Sequence, residues 1–176
     1  KLVWTDLYRA NFQQVNLTEV NLCRSILWRS DLKGANLSQA NLNKAQLDFA
    51  DLESANLSQA NLIEASLEEA CLSQADLTGA NLYKAMLEGS NCTAANFERA
   101  NLSRANGQEA NFSRANLQQA DLEKAKFDRT ILQAVNLTEA DLVEADLSYA
   151  DLTKAILTKA QLELANLVCA DLSNAD

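Results

Sequence analysis

The sequence predicts a single all-β solenoid, a four-sided parallel β-helix with four five-residue repeats per coil, and three observations predict it. Leucine or a substitute recurs at every fifth position from Leu2 to Leu172, with 29 Leu, four Phe, Cys92 and Gly107 at the 35 centres. Alanine stands two residues before the centre in 27 of 35 cases, and Thr5, Val15, Val20, Ser25, Ser30, Ser90, Thr130 and Val135 replace it with other short side chains. No insertion or deletion breaks this register, so residues 1–176 read as one domain.

A period of five fits neither ordinary element. At about 100° per residue on an α-helix, each repeat moves the leucine by roughly 140° and scatters leucines around the cylinder. On a straight strand an odd period sends successive leucines to opposite faces. The pattern is consistent only if the chain turns a corner after each repeat, keeping the centre and the residue two before it inside. Four corners close a coil of twenty residues, and stacking at about 4.8 Å gives almost nine coils and a rod of roughly 42 Å.

Read as A-[DN]-L-x-x from end to end, the chain resembles the pentapeptide-repeat family. The resemblance implies that the coil is right-handed and quadrilateral. It also implies kinship with a family that is abundant in cyanobacteria and mostly of unknown function, a minority of which bind DNA gyrase by resembling B-DNA in shape and charge. Those members look like dimers joined through a C-terminal helix, whereas here the repeats continue in consensus to Asp176.

Charge narrows the function. A net charge of −9 opposes direct contact with nucleic acid phosphates and attraction to anionic membranes, and favours a basic protein partner. Over the predicted rod it amounts to about one net charge per 4.7 Å, against about one per 1.7 Å of duplex DNA, so mimicry of DNA would be dilute. No apolar run is long enough to span a bilayer and the N-terminus carries no secretion-signal pattern, so a cytoplasmic protein is expected. The chain has no histidine, four glycines without a phosphate-loop pattern, and four cysteines without metal-ligand spacing. The expectation is therefore no catalytic residue, no cofactor and no metal.

Positions twenty apart should stack, which sorts the exposed residues into four faces. The face built on Leu7, Leu27 and Leu47 is the most acidic. Asp48, Glu68, Glu88 and Asp128 share a column there, Glu69 and Glu109 lie beside it, and these six residues form the candidate interaction face. The same face has the densest departures from Asn or Asp before the centre, namely Ile26, Gln46, Ser66, Met86 and Lys126. Beside it, the face built on Leu2 carries Arg24, Lys44, Glu64, Lys84, Arg104 and Lys124, and alternation across the shared corner predicts modest ion pairs. On the face built on Leu17, stacked Asn36, Asn56, Asn96 and Asn116 predict amide bonds along the axis.

Two centres are undersized. Gly107 in place of leucine would leave a cavity, and Phe97, across the same coil, and Phe127, next along the column, are predicted to fill it. Cys92 should likewise sit against Phe112. The ends need covering, because a β-helix exposes its last coil. Trp4, Tyr8, Phe12 and Trp28 are predicted to cover the first coil, and the uncapped C-terminal coil predicts end-to-end homodimerisation. The functional expectation is a non-enzymatic structural or protein-interaction rod with an unidentified protein partner; the alternative is a DNA-mimicking binder or inhibitor of DNA gyrase or another topoisomerase.

Overall fold

The computed structural model describes Lys1–Asp176 and repeats one local conformation throughout. In the repeat around Leu7, the chain passes Asp6 and Leu7 and then reverses through Tyr8 and Arg9, and the N–H of Ala10 donates to Leu7 O at 2.9 Å. Arg9 has φ 55°. A four-residue turn whose third residue has positive φ is of type II.

Every repeat makes the same excursion, with 32 non-glycine residues and three glycines at this third turn position. Left-handed backbone costs an L-residue about 1–2 kcal/mol and is least accessible to β-branched side chains. No Val, Ile or Thr occupies any of these positions, although all three occur one residue earlier. The strain is offset by axial hydrogen bonds, such as Arg9 N–H to Trp28 O at 3.0 Å.

Parallel bridges join residues twenty apart in four columns, which begin Asp6↔Ile26, Asn11↔Asp31, Asn16↔Asn36 and Asn21↔Asn41. The chain therefore closes a coil in twenty residues with a turn in each five. These contacts are isolated bridges and not extended strands, because most of each repeat is spent on the turn. All 128 backbone hydrogen bonds run between coils or close turns, so the backbone is satisfied along the axis.

Four of the five amides in a repeat take part in this scheme. The fifth, on the residue after the centre, has no backbone acceptor, and this explains the Asn or Asp of the repeat. At every such residue from Asp6 to Asp171, Oδ1 accepts that N–H, as in Tyr8 N–H to Asp6 Oδ1 at 3.0 Å. The predicted axial amide ladder is short by comparison. Asn136 Nδ2 donates to Asn116 Oδ1 at 3.1 Å and Asn116 Nδ2 to Asn96 Oδ1 at 2.9 Å, but Asn96 Nδ2 turns to Thr78 Oγ1.

Inside, 49 buried apolar residues form one cluster of centres and small corner residues. Hydroxyls at the corners bond locally: Ser25 Oγ donates to Leu22 O, and Thr130 Oγ1 donates to Gly107 O. Ser30 Oγ alone among buried side-chain polar atoms lacks a partner. At Gly107 the slot holds the edge of Phe127, whose Cε1 lies 2.6 Å from where a Cβ would be. Phe127 packs on Phe112 at 5.1 Å between ring centroids and Phe112 on Phe97 at 5.3 Å, so Phe97 is linked to the Gly107 slot through Phe112. Burial pushes the Cys92 thiol up to about 12, which favours the uncharged thiol at neutral pH.

The expected aromatic cover of the first coil is corrected. Trp4, Tyr8 and Trp28 are 69%, 45% and 39% exposed, because they occupy turn positions that point outward. Only Phe12, at a centre, packs against the core.

Candidate interaction surface

The outward aromatics instead form a strip on the face built on Leu7. Tyr8 and Trp28 stack at 6.1 Å, and Trp28 meets Phe49 edge-on at 5.8 Å. Arg29 lies over both the Trp28 and Phe49 rings at 5.5 and 5.4 Å, and Arg9 over Tyr8 at 5.8 Å. Nothing in the coil requires aromatic residues at these positions, since Gln, Glu, Lys and Ser fill them elsewhere. With exposed Ile26 and Met86 they make this face apolar as well as acidic.

Beyond Trp28 the strip opens into a concavity of about 370 Å³ lined by Trp28, Gln46, Asp48, Phe49, Ser66 and Glu68. The departures from Asn and Asp on this face shape it. With Gln46 and Ser66 in place of Asx, the Asp48 carboxylate takes over part of the bonding, accepting the Glu68 N–H at 3.2 Å and the Ser66 hydroxyl. Asp48 is thereby held against the wall while no cation lies within ion-pair distance of Asp48 or Glu68. Glu69 is likewise unpaired, and its carboxylate lies over Gly89, 3.0 Å from where a Cβ would be.

The six acidic residues of the predicted face therefore form two groups. Asp48, Glu68, Glu69 and Glu88 carry no ion pair, whereas Arg129 approaches Glu109 at 3.8 Å and Asp128 at 4.0 Å. Partial desolvation, with Asp48 and Glu88 nearby, holds the Glu68 carboxyl above the ordinary carboxylate range. A carboxyl with a raised folded-state value contributes stability below its unfolded value and loses it as pH rises through the folded one. Glu68→Gln should therefore raise the melting temperature slightly at pH 7, the effect being small at so exposed a site, with no gain at pH 3. Parallel thermal melts at the two pH values check this.

The basic column on the adjacent face does not pair across the corner as predicted. Lys44 bonds Glu64 at 3.1 Å and Lys124 reaches Glu144 at 3.3 Å, both one coil away in the same column. Arg24 lies over Trp4 and Lys84 over Tyr83. Axial stacking and the tight turn bring these partners closer than side chains around a corner, so they are found along the rod or, as for Lys124 with Glu123 and Lys84 with Tyr83, within the same turn. The acidic face is left without compensation from its neighbour.

The Pentapeptide repeats family matches in eight copies that together run from residue 1 to residue 176. The structure of HetL, a protein involved in heterocyst differentiation regulation from the cyanobacterium Nostoc sp. strain PCC 7120, is 34% identical with a TM-score of 0.96. The match covers 98% of this chain and 78% of HetL. Rfr23 from the cyanobacterium Cyanothece 51142 is 26% identical with a TM-score of 0.52, covering 74% of this chain and 89% of Rfr23. QnrB1, a plasmid-mediated fluoroquinolone resistance protein, shares the fold at 20% identity and a TM-score of 0.56, covering 89% of this chain and 76% of QnrB1. No curated protein sequence matches the chain. With eight consecutive matches along its length and a coil that repeats every twenty residues, this chain belongs to the pentapeptide repeat family.

Proposed function

We propose that the chain is a non-enzymatic interaction rod, coiled right-handedly as the family is, that holds a basic segment of a protein partner along the face built on Leu7. One observation carries the reading: Asp48 and Glu68 stand unneutralised beside the exposed rings of Trp28 and Phe49. Aromatic rings and carboxylates together suit a lysine or arginine side chain, whose apolar stem lies on the rings while its charge meets the acids. Such a partner would relieve the repulsion between Asp48 and Glu68 that the free rod retains. A regulatory role such as that of HetL, which is involved in heterocyst differentiation regulation, is compatible with a rod that acts by binding alone.

The topoisomerase reading lacks comparable support. The likeness to QnrB1 extends to the fold only, and a net charge of −9 is spread along the rod far more thinly than the charge of about one per 1.7 Å on duplex DNA.

Binding of a short lysine-rich peptide, followed by Trp fluorescence, tests the proposal. The pair Asp48→Asn and Glu68→Gln is expected to weaken binding about tenfold or more, with the affinity of the parent falling as salt rises. The pair Gln118→Lys and Thr138→Lys adds the same net charge on another face and should change little. Equal losses from both pairs would reduce the effect to net charge and overturn the assignment of the face.

A further inference from the structure

The next face around the rod, built on Phe12, Leu32 and Leu52, carries a concavity of about 360 Å³ of opposite chemistry. No carboxylate lines it; its walls include Ser113, Arg114, Gln133, Ala134, Thr153 and Lys154. Its shape follows from one column of turn residues, in which Ala94, Arg114, Ala134 and Lys154 alternate small with basic. Coils stack about 4.8 Å apart, so Arg114 and Lys154 rise on either side of Ala134 with backbones about 9.6 Å apart. Between them lies a notch with a methyl group for its floor.

Both cations are free. Most lysines and arginines pair with a carboxylate, as at Lys33, Lys44 and Lys159, or lie over a ring, as at Arg24 and Arg29, and Lys1, Arg104 and Lys126, the others that do neither, stand apart from this notch. Arg114 and Lys154 do neither, in a chain of net charge −9.

A backbone donor joins them. Ile131 stands where Asn or Asp would accept the N–H of Gln133, so this amide has neither a backbone nor a side-chain acceptor. The nearest acid on the face, Asp151, is engaged beside the notch: Oδ2 accepts from Gln133 Nε2 at 2.6 Å and Oδ1 from the Thr153 N–H at 3.0 Å.

We propose that this notch binds a phosphate dianion, free or as a phosphomonoester. Two unpaired cations match the charge of about −1.5 to −2 that a phosphomonoester carries at pH 7, whereas a carboxylate would leave one cation unmatched. The Arg114 guanidinium offers parallel N–H donors to two oxygens, the Lys154 ammonium approaches from the other side, and the Gln133 N–H and the hydroxyls of Ser113 and Thr153 are donors for the remainder.

Isothermal titration of the whole chain with inorganic phosphate, and separately with a short phosphoserine peptide, tests this. Two variants close the site without touching the core. Arg114→Gln with Lys154→Gln removes the charge, and Ala134→Glu puts a carboxylate between the cations. Both are compatible with the turn, because Gln and Glu already occupy the same position at Gln59, Glu64 and Glu139. The parent chain should bind saturably and each variant should lose about tenfold or more in affinity, with melting temperature unchanged. Tighter binding of the peptide would identify a phosphorylated protein side chain as the source, and tighter binding of inorganic phosphate the free ion. No saturable binding of either probe at tens of millimolar, or equal binding by the variants, would overturn the proposal.

Discussion

Replacing Gly107 by leucine, the residue at most other centres, is expected to destabilise the coil by about 3 kcal/mol. Even the first added carbon would lie 2.6 Å from Cε1 and 2.9 Å from Cδ1 of Phe127, and that ring is buried against Phe112 and has nowhere to move. Phe127→Leu alone opens a cavity and should lose about 1.5 kcal/mol. The double substitution restores ordinary leucines at both stacked centres and should lie within about 1.5 kcal/mol of the parent, a coupling of about 3 kcal/mol. Urea unfolding of the three variants measures it. Additive losses would mean that the glycine and the ring do not share one volume.

The second large effect separates adjacent positions of one turn. Gly89→Pro is expected to lose more than about 4 kcal/mol, because proline fixes φ near −65° and deletes a donor. Gly89 has φ 65° and its N–H donates to Gln108 O at 3.0 Å. Glu88→Pro, one residue earlier, should leave stability within about 1 kcal/mol of the parent and on the stabilising side. Proline is favoured at the second position of a type II turn, and the Glu88 N–H has no acceptor because Met86 replaces Asx. Thermal melts of the two variants suffice. A Glu88→Pro protein as damaged as Gly89→Pro would contradict the turn geometry. The chain contains no proline, and four of its five repeat positions account for that by their hydrogen bonds.

Leucine and alanine were legible in sequence because burial constrains side chains directly: the centres are all apolar, and a residue at a tight corner cannot be long. The Asn or Asp was visible as a pattern but its purpose was not. Stacking is seen by counting to twenty, whereas the leftover amide two residues on appears only when every backbone donor has been assigned. The aromatic residues were misread for a related reason. Tyr8 and Trp28 stand one residue past the centre, a position that points outward, and the need to cover an end outweighed that register. At the candidate face the six carboxylates could be placed in columns, but their division by Arg129 could not, since ion pairs depend on side-chain reach. The notch at Ala134 was missed because alanine, common throughout the repeat, gives no signal until its stacked neighbours are known to be basic. The alternation of Ala94, Arg114, Ala134 and Lys154 at intervals of twenty was the available clue.

Because the bridges link residues twenty apart, the surface pattern is held by phase as much as by composition. Excising one whole coil would shorten the rod and leave every downstream side chain on its original side. Excising a single repeat between Glu68 and Glu88 would leave leucine on leucine inside, yet rotate all that follows by a quarter revolution. Glu88 would then line up with Asn43 and Ile63 and desert Asp48 and Glu68. Insertions and deletions that the interior accepts equally would thus have opposite consequences outside, one preserving the face and the other scrambling it.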